Sequence, residues 1–99
     1  MTARIQRTHG SVFKDLGFSP ELAENLRIRS LLMTCLSEVI TERKLVQAEA
    51  ARLFGVSQPR VSDLVRGKID RFSIDTLVAM LGHAGVRVSL VLRRRRKAA

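Results

Sequence analysis

The fold of this 99-residue chain is decided by residues 45–68, LVQAEAARLFGVSQPRVSDLVRGK. Two short helical patterns meet there at Gly55, Val56 and Ser57. The apolar positions are Ala50, Ala51, Leu53 and Phe54 in the first pattern, and Val61, Leu64 and Val65 in the second. Their three- and four-residue spacing places each set on one face of a helix. The stretch therefore predicts two helices joined by a tight glycine turn.

The second helical pattern leaves mostly polar and basic side chains outside. These are Gln58, Pro59, Arg60, Ser62, Asp63 and Arg66. Side chains of this kind reach base edges and phosphates when a helix lies in the major groove of DNA. We interpret the stretch as a helix-turn-helix whose second helix reads duplex DNA. The alternative is an ordinary helix with a solvated polar face.

The positive charge of the chain is concentrated in its second half. Residues 1–50 carry seven basic and six acidic groups, whereas residues 51–99 carry eleven basic and three acidic groups, within a net charge of +9. Neutralising phosphates releases counterions, so a polyanion is the partner that this asymmetry favours. A basic surface that is merely solvated is the other interpretation.

The composition argues against several other classes of nucleic-acid-binding protein. The chain has four Phe and no Trp or Tyr. Sheets that bind RNA or single strands stack bases on exposed aromatic side chains, which this sequence lacks. An apolar fraction of 45% is enough for one aliphatic core. One domain of packed helices is therefore expected.

Patterns typical of catalysis and of metal binding are missing from the sequence. There is no paired-carboxylate spacing, no Cys/His cluster for zinc and no phosphate loop. The single cysteine, Cys35, excludes an intrachain disulfide and lies among apolar helix positions, where we expect it to pack. We predict no enzyme and no cofactor. Without a signal peptide or a long apolar run, we expect a cytoplasmic protein that does not cross a membrane.

The region before the motif divides into three parts. Residues 1–11 show no periodicity, and we expect them to be disordered. Residues 12–18, VFKDLGF, are apolar enough to pack on the body of the domain or to form a strip for a partner. A long helix is predicted from Ser19-Pro20 to about Arg43, with Ser19 as its N-cap. Its apolar face is wider than one packing partner requires, so we expect it to touch something besides its own core.

The first helix of the motif begins without the usual cap. A threonine at position 46 would form a capping box with Glu49, but the chain has Val46 there. Beyond the motif, Ser73 is the predicted cap of one more helix. Phe72 and Leu77 have the spacing of a hydrophobic staple around that cap.

The end of the chain changes from helical to alternating periodicity. Residues 86–92, VRVSLVL, place valines and leucines on alternate positions, which predicts a β-strand. A strand needs a partner, either residues 12–14 or the same strand of a second subunit, and we favour the second. The basic residues of the tail, 93–99, are candidates for flanking phosphates, a minor groove or an acidic partner, or are simply solvated.

A family resemblance is carried by QAEAARLFGVSQPRVSDLVRGK. A Gln opening the first helix, an Ala-Ala pair, a Gly turn, Ser-Gln opening the second helix and a closing Gly-Lys resemble the Cro/repressor (XRE) helix-turn-helix. Residues 12–92 as a whole resemble a subgroup of small XRE proteins, the HigA-like antitoxins. The resemblance implies a mainly α, four- to five-helix lambda-repressor-like domain, with the motif at 46–67. To this we add the strand at 86–92, pairing across a dimer.

The resemblance also implies roles for individual residues. Gln47 would contact a phosphate or support Gln58, which would read a base edge, most naturally adenine. The full set of candidate DNA-binding residues is Gln47, Ser57, Gln58, Pro59, Arg60, Ser62, Asp63, Arg66 and Lys68. Asp63 is the least expected of them beside phosphate. It would exclude wrong bases, accept from cytosine, or pair with Arg60 or Arg66.

Taken together, these features predict a sequence-specific repressor that binds a palindromic operator as a homodimer. The resemblance implies the antitoxin of a toxin–antitoxin operon that autoregulates its promoter, with a HigB- or RelE-like ribonuclease toxin as its protein partner. The alternatives are a stand-alone XRE-type regulator and, less favoured, an RNA-binding module.

Overall fold

A computed structural model describes residues 16–94, which form four helices and one 3₁₀ turn. The helices are α1 (Pro20–Glu42), α2 (Gln47–Phe54), α3 (Gln58–Val65) and α4 (Ile74–His83), and the 3₁₀ turn η1 (Ile69–Arg71) lies between α3 and α4. None of these helices is long and apolar enough to cross a membrane. Residues 1–11, for which we expect disorder, lie outside the described residues. So do residues 95–99 of the basic tail.

Local signals set most of the helix starts as the sequence predicts. The hydroxyl oxygens of Ser19, Ser57 and Ser73 each accept a hydrogen bond from a backbone N–H in the first turn of the helix that follows. Pro20 occupies the first turn of α1, where a missing N–H leaves no hydrogen bond unmade. These caps satisfy donors that the helices themselves cannot use.

The core lies where α1 and α4 pack together and α2 and α3 close over them. Its largest fully buried side chains are Phe54, Phe72, Leu36, Leu64, Leu77, Met80, Leu81 and Val61. Phe72 and Leu77, predicted as a staple around the Ser73 cap, are both in this set. Val65 was expected in the core but is 47% exposed, and it lines an open groove beside Met33 of α1.

Helix α1 uses most of its wide apolar face for this one core. Met33, Cys35, Leu36 and Val39 are buried, whereas Leu22 remains 41% exposed near the helix start. Burial raises the pKa of the Cys35 thiol, and the nearby carboxylates of Glu38 and Glu42 raise it further. Cys35 is therefore a protonated packing residue, as its position predicts.

The predicted strand at 86–92 is wrong. These residues have no regular secondary structure, and the described part of the chain is all-helical. Val86 is buried and Val88 packs on the core, but residues 90–92 are exposed. Alternating hydrophobicity reports which side chains face the core. A strand also needs a backbone partner, and none is present among residues 16–94. The predicted pairing of this strand across a dimer is overturned with it, and its alternative partner, 12–14, lies outside the described residues.

Val46 makes only half of a capping box. Its backbone N–H donates to Glu49 Oε1 at 3.0 Å, but a valine side chain offers no acceptor to the helix. We predict that Val46→Thr stabilises the protein by about 1 kcal/mol. For a domain of this size that corresponds to a rise in Tm of roughly 4–8 °C. Val46→Ala, which adds no hydroxyl, is the control, and an equal Tm for the two variants would contradict this capping argument.

Two glycines with the same backbone conformation have different surroundings. Gly55 ends α2 at φ +70°, and a Cβ there would meet the His83 ring at 3.0 Å. Gly67, beyond α3, has φ +72° and open space around it. We predict that Gly67→Ala costs about 1–2 kcal/mol through the left-handed conformation alone. Gly55→Ala should lower the free energy of unfolding, measured by chemical denaturation, by more than Gly67→Ala does, because the imidazole of His83 must also move. The excess should disappear when His83→Ala is added; an excess that persists would place its cause elsewhere.

Candidate nucleic-acid interface

Helix α3 is held by its apolar side and leaves the other side open. Val61 and Leu64 are almost completely buried, and Ser57 caps the helix with its hydroxyl accepting from the Arg60 N–H at 3.4 Å. Gly55, in the left-handed conformation, turns the chain from α2 into α3. The turn and the two buried side chains fix the direction in which the polar face points.

The candidate residues divide by exposure. Gln47, Ser57, Gln58, Pro59 and Arg66 are exposed, whereas Arg60, Ser62, Asp63 and Lys68 are half-buried. Within residues 16–94, neither the side-chain amide of Gln58 nor the guanidinium of Arg66 forms a hydrogen bond or ion pair with another group. No hydrogen bond joins Gln47 to Gln58. These groups are therefore available to a ligand at the surface.

Arg60 is turned back onto the protein. Its Nη1 donates to the backbone oxygen of Arg71 at 2.8 Å. Its guanidinium also lies over the Phe72 ring, 5.5 Å from the centroid, which is within the range of a cation–π contact. In this arrangement Arg60 connects α3 to the segment after it. Part of the hydrogen-bonding capacity of its guanidinium is already occupied in the free protein.

Asp63 pairs with partners other than those predicted. Its Oδ2 lies 3.4 Å from Arg71 Nη1, and its Oδ1 lies 3.9 Å from Lys68 Nζ. Neither Arg60 nor Arg66 forms an ion pair with it among the described residues. The structure thus groups Asp63 with Lys68, which precedes η1, and with Arg71, the last residue of η1.

Sequence reasoning did not identify Arg71 as part of this surface or Phe72 as the buried ring that Arg60 covers. Phe72 was predicted only as a staple residue, and Arg71 was not singled out. Arg71 follows Asp63 by eight residues, beyond the three- or four-residue reach of one helix face, so periodicity carries no signal for the pair. Only the direction of the chain after Gly67 brings them together.

Arg29 of α1 supports the same loop from the side of the core. Its Nη1 donates to the backbone oxygens of Ile69 at 3.2 Å and Phe72 at 3.3 Å. Its Nε donates to Asn25 Oδ1 at 2.6 Å. Charge-assisted hydrogen bonds to backbone carbonyls hold the η1 turn in place. The long helix thereby fixes a loop forty residues further along the chain.

The resulting surface is basic. Its side chains suit the binding of phosphate groups more than they suit catalysis. Arg66, Lys68 and Arg71 lie around the C-terminal end of α3, where the carboxylate of Asp63 pairs with Lys68 and Arg71. Among residues 16–94, no three His, Cys, Asp or Glu side chains form a group that could hold a metal ion. The arrangement can bind an extended anion beside the exposed polar side of α3.

Comparison with known proteins agrees with this geometry. A family model described as a helix-turn-helix domain matches residues 12–93. A solved structure of a protein assigned to the XRE family of transcriptional regulators is 35% identical to this chain, with a TM-score of 0.70. The match covers 78% of this chain and 90% of that one. No curated protein matches the chain. The chain therefore belongs to the XRE-type helix-turn-helix family.

Proposed function

We propose that the protein is a sequence-specific repressor that places α3 in the major groove of duplex DNA. The observation that carries the proposal is the division of α3 into a buried apolar side, Val61 and Leu64, and an open side with exposed Gln58 and Arg66. A helix so anchored presents its polar side chains to base edges as a rigid unit. The surrounding positive charge supplies affinity for the phosphate backbone.

The candidate residues take different roles in this proposal. Gln58, in the first turn of α3, is the base reader, since a carboxamide matches the N6 and N7 groups of adenine. Gln47, Arg66 and Lys68 contact phosphates, which position the helix without reading sequence. Ser57 and Pro59 place backbone close to the DNA. The contacts of Arg60 favour a supporting role that keeps the η1 loop against α3.

We further propose that a homodimer binds a palindromic operator. A single α3 of eight residues spans only a few base pairs. Two copies related by a two-fold axis read half-sites about one helical turn apart, and the combined contacts give the affinity that a repressor needs. Occupancy of such an operator within a promoter would block transcription.

An antitoxin role is the finer form of this proposal. It rests on the resemblance to HigA-like antitoxins and on apolar side chains near the start of α1. Leu16 is 69% exposed and Leu22 is 41% exposed. An apolar strip of this kind suits a protein partner, which the resemblance implies to be a HigB- or RelE-like ribonuclease toxin. The alternatives are a stand-alone regulator and an RNA-binding module. A neighbouring toxin-like reading frame distinguishes the antitoxin from the stand-alone regulator.

The specificity prediction is tested by selecting bound duplexes from random DNA. We expect the wild-type protein to enrich a palindromic consensus. Gln58→Ala should relax one position in each half-site and cost about 1–3 kcal/mol in binding at that position. Arg60→Ala should weaken binding across all sequences and lower the Tm, because it releases the loop from α3.

The outcomes of this selection separate the candidate functions. Enrichment of no consensus by the wild-type protein would refute sequence-specific recognition. Stronger binding to RNA than to duplex DNA would favour the RNA-binding alternative. Relaxation of a single position by Arg60→Ala, with an unchanged Tm, would make Arg60 a base reader instead of a support.

The basic tail is tested by removing residues 93–99. Arg93 and Arg94 are exposed, and residues 95–97 continue the basic run. If these side chains bind phosphate, the slope of log affinity against log salt should become shallower by about 0.9 for each phosphate that is no longer neutralised. Truncation after Lys97 removes only Ala98 and Ala99 and is the matched control. An unchanged slope in the longer truncation would exclude the tail from the DNA contact.

A further inference from the structure

The carboxylate of Asp63 lies beneath two cations at the C-terminal end of α3. The Asp63 side chain is 19% exposed, against 36% for Lys68 and 54% for Arg71. Each carboxylate oxygen faces a different cation, Oδ1 towards Lys68 and Oδ2 towards Arg71. The cations thus retain access to solvent, while the carboxylate has less.

Both pairs are loose. Their separations of 3.9 and 3.4 Å exceed the roughly 2.7–2.9 Å of a strong charge-assisted hydrogen bond. Loose, partly exposed pairs lower the local positive charge but do not lock the side chains in place. An incoming phosphate oxygen can therefore replace the Asp63 carboxylate as the partner of Lys68 and Arg71.

The rest of the loop makes this arrangement part of the fold. Arg29 holds the backbone on both sides of Arg71 through the carbonyls of Ile69 and Phe72. Arg60 holds the carbonyl of Arg71 itself. Side chains of α1 and α3 therefore hold the backbone around Arg71 in place. This position brings the Arg71 guanidinium next to the Asp63 carboxylate.

We propose that Asp63 is an internal competitor for DNA phosphate that limits the affinity of the protein for duplex DNA. By partly neutralising Lys68 and Arg71 in the free protein, it weakens binding to arbitrary duplex. Operator binding meets the same competition, and there the base contacts supply free energy for displacing the carboxylate. This role rests on the proposed DNA binding. It is an alternative to base reading by Asp63, because both carboxylate oxygens face cations in the free protein.

The test measures binding to a duplex of random sequence across a range of salt concentrations. Asp63→Asn keeps the shape of the side chain and removes its charge. We expect it to tighten random-duplex binding roughly three- to tenfold at low salt and to steepen the salt slope by about 1. Operator binding should gain by a similar factor, because the same two ion pairs are broken in both complexes.

Two variants separate this role from charge and from folding. Asp70→Asn removes the same charge from the neighbouring η1 turn, and Asp70 is exposed with no ion pair among residues 16–94. It should change random-duplex affinity less than twofold. Asp63→Glu restores a carboxylate and should return the affinity towards that of the wild type. A loss of loop structure in Asp63→Asn would lower the Tm and would not be expected to tighten binding.

A double-mutant cycle with Arg71→Gln tests whether Arg71 is the cation that is released. Arg71→Gln should weaken random-duplex binding more in the Asp63→Asn background than in the wild type. Equal tightening by Asp63→Asn and Asp70→Asn would overturn the proposal. So would a changed preference at one operator position with random-duplex affinity unchanged, which would identify a base reader.

The random-duplex measurement needs no operator, so it is independent of the proposed sequence specificity. Suppose that the wild-type protein selects no consensus but shows the Asp63→Asn effect. That result would refute the proposed sequence-specific repressor and support the proposed competition by Asp63. A wild-type protein that binds no duplex at all would overturn both.

Discussion

The interface depends on the burial of Val61 and Leu64. Helix α3 has only eight residues, and a helix of that length is unstable in water by itself. Packing these two side chains against the core supplies the stability that the local sequence lacks, and the same contact sets the direction of the polar side. The stability of the domain and the direction of the polar side of α3 therefore have one physical origin.

Polar contacts then join α3 to the loop that follows it. Arg60 reaches the Arg71 carbonyl and the Phe72 ring, while Asp63 reaches the Arg71 side chain. Candidate DNA-binding groups are thus partly engaged inside the protein. The proposed competition by Asp63 would lower the affinity for phosphate of any sequence, and base contacts would then be needed for tight binding. Arg29 of α1, far away in sequence, donates to a backbone carbonyl of this loop and so connects the loop to the longest helix.

The errors of prediction have physical causes. The alternation at 86–92 correctly places Val86 and Val88 towards the core, but period two does not supply a backbone partner, so no strand forms. Val65 has helical spacing with Val61 and Leu64, yet it stands at the edge of the buried face and remains half exposed. A pattern along the chain identifies a face, whereas the extent of its burial depends on the elements packed against it.

By itself the sequence determined the helices, their caps, the glycine turn and the buried side of α3. Those features depend on side chains within about one turn of each other, such as a serine and the N–H three residues on. The tertiary structure alone decided that Asp63 meets Arg71, that Arg29 holds the η1 turn and that Gly55 lies against His83. These contacts join residues whose separation exceeds any local period, so they exist only once the packed helices have set the path of the loops.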